Sequence, residues 1–230
     1  MKYLAGKPIP MTLEEVLDPA HTALAVIDVQ NDFCEDDGVF PKHGVTIPSV
    51  KETINNIAQV LKTARESQIR VVYIQHTTLP GRLSDSASWA RLMLKTFNVE
   101  NLEDIPEFCL DGSWGHQVVD ELKPRSGDLV VKKHRSSAFI ATDLDFVLRN
   151  NGIKTLVTTG VTTEGCVEST ARDGQLYDYM IVTPRECVNS ENQRNHEAML
   201  EIMSGRWDVI SSKQLADIWP SKGETQLVAP

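Results

Sequence analysis

The chain has 230 residues, 41% hydrophobic, 6% aromatic and 24% charged, a balance that excludes fibrous, collagen-like and disordered classes and predicts one globular domain. A chain of this size hides roughly 70% or more of its unfolded surface, so an apolar core suffices without disulfides or metals. With 23 Lys and Arg against 32 Asp and Glu, the net charge of −9 and the lack of any long basic run exclude a nucleic-acid partner.

The opening MKYLAGKPIPM has no continuous apolar core followed by small residues, so no secretory signal is expected. No apolar stretch approaches the roughly 20 residues that cross a bilayer, and the expected setting is cytoplasmic, without membrane. Residues 1–20 read as an irregular arm. Thr22–Ile27 is apolar on both faces, the pattern of a parallel strand covered by helices, and it stops at Asp28. Ser49 and Glu52 have capping-box spacing, and Ile54, Ile57, Ala58, Leu61 and Ala64 then mark one helix face. Residues 69–74 and 129–131 read as the next two strands.

Between those strands, residues 80–127 are too long for one crossover and carry Trp89, Pro106 and Trp114. They read as an insertion near the site, a lid or an oligomer contact. Thr142 and Asp145 repeat the capping spacing, Leu144, Val147 and Leu148 supply an apolar stripe, and Asn151 with Gly152 stops the helix. A strand follows at 155–159, a helix opens near Thr163 or Glu164, a strand returns at 180–183, and Ser190 with Gln193 caps a further helix. This alternation predicts an α/β fold: an open, mostly parallel, doubly wound sheet with helices on both faces, three layers α/β/α, as a single domain over residues 1–230.

In such sheets ligands sit beyond the carboxyl ends of the strands, where the pattern puts Asp28, Lys133 and Cys166. Singly, each has an ordinary reading: an Asx turn, a solvated basic run over 132–135, a small buried hydrophobe. Together they form a nucleophilic apparatus. A helix amino terminus and an ammonium favour the thiolate, and a carboxylate carries the proton to a departing amine. The expected resting form is the thiolate. No GxGxxG, GxxxxGK[ST], HExxH or GxSxG is present. The four cysteines form no CxxC and read as free thiols of a reducing compartment. His76, ending the second strand, is a candidate substrate contact. It has no partner at metal-ligand spacing, so neither metal nor other cofactor is expected.

Three segments resemble the isochorismatase-like cysteine hydrolases, a superfamily that includes nicotinamidase, N-carbamoylsarcosine amidase, biuret hydrolase and ureidoacrylate amidohydrolase. They are ALAVIDVQNDFC, with Asp28, Gln30 and Phe33; VVKKHRSSAFIATDLDFVLRNNGIKTLVTTGV, with Lys133; and TTEGCVESTARDG, with Cys166. The resemblance runs over about residues 22–207. It implies an Asp–Lys–Cys triad at Asp28, Lys133 and Cys166, with Lys133 preferred to Lys132 because it stands six positions before Phe139 of the Ser-Ala-Phe element. It also implies a cis peptide between Val161 and Thr162, an oxyanion held by the N–H groups of Thr162 and Cys166, and substrate contacts at Gln30, Phe33 and His76.

Two departures bear on detail. Where the nicotinamidase branch holds a metal through an Asp and two His, this chain reads Gln75-His76-Thr77-Thr78, and Arg185-Glu186-Cys187 replaces an acidic-then-small pair expected at the pocket floor. Residues 112–128 and the CVESTARDG stretch resemble the ureidoacrylate and carbamoyl-amide hydrolases. The implied activity is cleavage of a C–N bond in a small amide, ureido or carbamoyl compound through a thioester, by a homodimer or homotetramer. The alternatives are a vinyl ether hydrolase of the isochorismatase type, a nicotinamidase, and a non-catalytic binding or thiol redox module using Cys166 and Cys187.

Overall fold

In the computed structural model, which describes residues 1–219, the arm before Thr22 is more regular than its sequence suggests. Strands β1 (Lys2–Leu4) and β2 (Lys7–Ile9) form an antiparallel hairpin, turned by Ala5 and Gly6 at φ 49° and 77°, and α1 (Leu13–Val16) follows. Every residue of both strands is exposed, so burial leaves no alternation to read. Residues 220–230, which the single-domain expectation also covered, lie outside the described residues.

The body begins with β3 (Thr22–Ile27), α2 (Asn31–Cys34), α3 (Val39–Lys42), α4 (Val50–Glu66) and β4 (Arg70–His76). After α5 (Ala87–Thr96) come β5 (Leu129–Lys133), α6 (Leu144–Asn150) and β6 (Thr155–Val161). A π-helical turn, Thr163–Val167, runs into α7 (Glu168–Leu176), followed by β7 (Met180–Pro184) and β8 (Val188–Asn189). The last described elements are α8 (Gln193–Ser204), β9 (Asp208–Ile210) and α9 (Ser212–Ile218).

The main sheet has the order β5-β4-β3-β6-β7-β9, with β8 beside β6, and its pairings are parallel. The chain enters at β3, moves outward through β4 to β5, then returns to β6 and moves the other way. The switch point of the topology therefore lies between β3 and β6, where their carboxyl ends open a crevice. Strand β3 shows why the sheet is covered twice. Leu24 and Val26 join a core with Ile57 and Leu61 of α4 and Leu215 of α9, while Ala23, Ala25 and Ile27 join a second with Leu148 of α6, Ala171 of α7 and Met203 of α8.

Helix starts fall close to where the sequence puts them, but the capping chemistry differs. Ser49 precedes α4 in a left-handed conformation, φ 52°, and makes no side-chain cap. At α6 the position before the helix is Asp143; Thr142 Oγ1 does accept the Leu144 N–H at 3.2 Å, but Asp145 receives the Arg149 guanidinium and the Tyr179 hydroxyl instead of closing a capping box. Asn192 rather than Ser190 caps α8, accepting from the Asn195 N–H. A capping pattern needs an extended residue at the cap, and that backbone geometry is set by the preceding loop.

Candidate active site

Strand register brings the site together. Ile27 stands beside Ile74 on β4 and Gly160 on β6, and His76 stands beside Lys133 on β5. Asp28, one residue past β3, has φ 53° and is buried. Gly160, at φ 118°, lies so close to β3 that a Cβ there would collide with the Ile27 carbonyl. A glycine is what lets the two strand ends approach at the switch point.

Lys133 belongs to β5, two strands from β3, so its ammonium must cross roughly 9.5 Å of sheet to serve Asp28. A long side chain running over β4 does this. Lys133 is fully buried, and its Nζ lies 2.7 Å from Asp28 Oδ2, 3.2 Å from Cys166 Sγ and 3.0 Å from the Arg135 carbonyl. Strand alternation turns Lys132 the other way, to a surface ion pair with Asp111 at 2.6 Å. Asp28 Oδ1 accepts the His76 backbone N–H at 2.9 Å, whereas Oδ2 has the ammonium beside it but no donor aligned on it.

Cys166 lies in the π-helical turn that leads into α7, half-buried, directly after a cis peptide between Val161 and Thr162 and the turn that follows it. Burial, and after it the Asp28 carboxylate, pushes the thiol up to about 12 against the opposing pull of Lys133. The sulfur is therefore a thiol at rest rather than the thiolate the sequence suggests. A buried Asp–Lys pair is already neutral, and a thiolate would add a net buried charge. Burial by itself lowers the Lys133 ammonium, but the Asp28 carboxylate and then Cys166 more than offset this and hold it above the usual lysine range. The ammonium stays charged.

A pocket of about 110 Å³ opens over these groups, lined by Asp28, Cys166, Gly165, Val161, Thr162, Ser136 and Glu191, with five rings forming the rest of its wall. Phe33 and His76 are among the rings, as the sequence suggests, and Trp89, Phe40 and Phe108 complete them. His76 is stacked between Trp89 (5.1 Å) and Phe108 (5.4 Å). Burial first, then the nearby Lys133, lowers its imidazole well below the usual histidine range, so it is neutral at physiological pH. Gln30 stands behind the wall: its Nε2 donates to the carbonyls of His76 and His116, and its Oε1 accepts the His76 N–H. The residues at 185–187 do not line the pocket, whereas Glu191, a few positions further on, does.

The 80–127 segment thus supplies Trp89 and Phe108 to the wall. It packs as a small cluster of its own, with Met93, Phe97 and Ile105 beside Phe33 and Phe40. Asp32 of α2 ties this cluster to the start of α3, Oδ2 accepting the Cys109 N–H at 2.6 Å and Oδ1 the Val39 N–H at 3.2 Å. No periodic pattern in the sequence points to these rings, since Phe33, Phe40 and Trp89 come from three different helices and Phe108 from a loop. As for a thiol pair, Cys187 packs in the core on the α4 side and Cys166 against the core on the other, so the sheet separates them. Among the described residues no group of three His, Cys, Asp or Glu side chains is placed to hold a metal ion, and no helix is long and apolar enough to cross a membrane.

The model of the isochorismatase domain matches residues 22–214. The chain is 35% identical over 182 residues to the ureidoacrylate amidohydrolase RutB of Pseudomonas savastanoi pv. phaseolicola, covering 77% of this chain and 73% of that one. It is 37% identical over 203 residues to the ureidoacrylate amidohydrolase RutB of Methylobacterium radiotolerans, covering 86% and 77%. The crystal structure of N-carbamoylsarcosine amidase from Thermoplasma acidophilum superposes with a TM-score of 0.65 at 27% identity, over 84% of this chain and 96% of that one.

Proposed function

This chain belongs to the isochorismatase family and is a hydrolase of carbon–nitrogen bonds in linear amides, and from that premise we propose that it cleaves a small ureido or carbamoyl compound with Cys166 as nucleophile. The observation that carries this reading is one buried ammonium held against both a carboxylate and a half-buried thiol at the floor of a pocket. The ureido class is supported by relatives named for ureidoacrylate and a structural neighbour named for N-carbamoylsarcosine, whose substrates share a carbamoylated nitrogen.

In this reading the Cys166 proton passes to Asp28 Oδ2 as the sulfur attacks the carbonyl carbon, so the thiolate exists only during attack. The N–H groups of Thr162 and Cys166 hold the tetrahedral oxyanion. The C–N bond then breaks, Asp28 returns the proton to the departing nitrogen, and an acyl or carbamoyl thioester is left on Cys166. Water gives a proton to Asp28, its oxygen cleaves the thioester, and the sulfur recovers the proton. Lys133 stays protonated throughout, fixing the carboxylate and offsetting the charge that develops on sulfur. His76 and Phe33 contact the substrate body, and Gln30 supports them through the backbone. We also place the enzyme in a reducing cytoplasm, in keeping with its four free thiols, as a dimer or tetramer joined through apolar surface such as Phe146 and Leu176.

The test is a panel of ureido and amide compounds with the wild type and Cys166→Ala, read by ammonia release and by intact mass. Ammonia release and an acyl mass on Cys166, both lost in the variant, are the expected results. Pyruvate release from a vinyl ether without ammonia from any amide would instead favour the isochorismatase-type reaction.

A further inference from the structure

We propose that the substrate this pocket selects is uncharged, with a flat apolar body carrying the scissile carbonyl, and that compounds with a free carboxylate are rejected. This deepens the reading of a Cys166 amidohydrolase and rests on it, and it parts from the relatives named for ureidoacrylate and N-carbamoylsarcosine, which are both acids, keeping from them only the carbamoylated nitrogen.

The first observation is the distribution of charge. Among the described residues, no Lys or Arg lines the pocket. Lys133, below its floor, donates to Cys166 and the Arg135 carbonyl and is ion-paired with Asp28 at 2.7 Å, so its charge is already engaged. Arg135 turns Nη1 to the carbonyls of Ser84 and His134. The one ring in the wall that could become cationic, His76, is kept neutral by its burial between Trp89 and Phe108. The charged groups that do line the cavity are Asp28 at the floor and the exposed Glu191 at the mouth, both acidic. A carboxylate entering here loses water, finds no cation in the lining to pair with directly and approaches like charge.

The second observation is the surface that replaces a cation. Phe33, Phe40, Trp89 and Phe108 meet around one side of the cavity, with Phe33 edge-on to Phe40 at 4.7 Å and to Phe108 at 6.0 Å. Rings at such spacing give a flat apolar guest both faces and edges to pack against. Among the described residues, the nitrogens of the neutral His76 ring take no hydrogen bond. One N–H is therefore free to direct a neutral polar atom of the guest. At about 110 Å³ the cavity is well below the usual range for drug-sized ligands, so the body is small.

Matched pairs test this directly: ureidoacrylic acid against its methyl ester, and 4-carbamoylbenzoate against benzamide, each followed by ammonia release. The neutral member of a pair is expected to show a kcat/KM about tenfold or more above its acid. Glu191→Lys, which puts a cation at the mouth, should narrow that ratio by raising turnover of the acids. A wild-type preference for the acids overturns the inference while leaving hydrolysis through Cys166 in place, and a ratio unmoved by Glu191→Lys overturns the assignment of charge selection to the mouth. If no compound yields ammonia or a covalent mass on Cys166, the amidohydrolase reading itself falls, and this inference with it.

Discussion

Lys133 Nζ sits 2.7 Å from Asp28 Oδ2 although Lys133 ends β5 and Asp28 follows β3, with β4 between the two strands, and neither side chain is exposed to solvent by more than 1%. The pair is buried beside Cys166, and its net neutrality decides how the sulfur behaves. Burial and then the Asp28 charge raise the thiol, while Lys133 lowers it.

Removing the carboxylate should therefore separate acidity from catalysis. In Asp28→Asn the ammonium faces the sulfur without its counter-charge, so the thiol becomes more acidic, while the proton carrier is lost. Hydrolysis is expected to fall by about 10²–10⁴-fold. Iodoacetamide labelling of Cys166 near pH 8, followed by intact mass, is expected to quicken. In the wild type, with the thiol pushed up to about 12, the labelling rate should keep climbing through pH 10, about tenfold per unit. A wild-type plateau near neutral pH would contradict the protonated resting state.

Breaking the ion pair from the other side should cost stability as well as activity. Lys133→Met leaves a buried carboxylate without its cation, a loss of about 3–5 kcal/mol for a pair of this kind. Combining it with Asp28→Asn removes both charges, and urea unfolding should show the double variant more stable than Lys133→Met alone. Neither variant should hydrolyse amides. Equal midpoints for the single and double variants would mean that the charges do not depend on each other.

Acid should weaken the fold through buried histidines. His76, His116 and His196 are all lowered from the ordinary histidine value, each chiefly by burial. The unfolded chain then binds more protons than the folded one once the pH drops below about 6.5, so stability falls from pH 7 toward pH 5, by at most about 1.4 kcal/mol per unit for each group. His76→Gln cannot take up that proton. Its urea midpoint should change less over the same range than that of the wild type, and an identical pH slope would count against a neutral His76.

The Asp32 carboxylate on α2 anchors the segment that carries Trp89 and Phe108. Asp32→Ala leaves the buried Cys109 N–H and the Val39 N–H without their acceptor, a cost of about 1–3 kcal/mol for each such buried group. Gly115→Ala should act on the same anchor, because a Cβ there would overlap the Asp32 carboxylate. Both variants are expected to lower the midpoint of urea unfolding and to raise KM more than they lower kcat, since they displace Trp89 and Phe108 rather than Cys166. A change confined to kcat would place Asp32 nearer the chemistry than its contacts indicate.

Much of this protein is legible from its residues alone, and the reason is local. Thr22–Ile27 shows its strand and its double burial because every position is apolar or small, and the helical stripe from Ile54 to Ala64 follows from a period that one face of a helix imposes. Asp28, Lys133 and Cys166 stand just where strands stop, so a parallel sheet fixes their end of the molecule before any coordinates are known. The resemblance of their surrounding motifs to the isochorismatase-like hydrolases agrees with the family match over residues 22–214.

What only the tertiary structure decides is set by groups far apart in sequence. Ser49, Thr142 and Ser190 carry the letters of a cap, yet the incoming loops give Ser49 a left-handed backbone and hand the capping of α8 to Asn192. The protonation of Cys166 follows from burial and from the Asp28 carboxylate 138 residues away, against which a helix terminus and a lysine do not prevail. The aromatic wall joins Phe33, Phe40, Trp89 and Phe108 from segments without a common period. Strand ends and apolar periods are properties of the chain itself, whereas desolvation and the meeting of distant rings exist only once it has closed on itself.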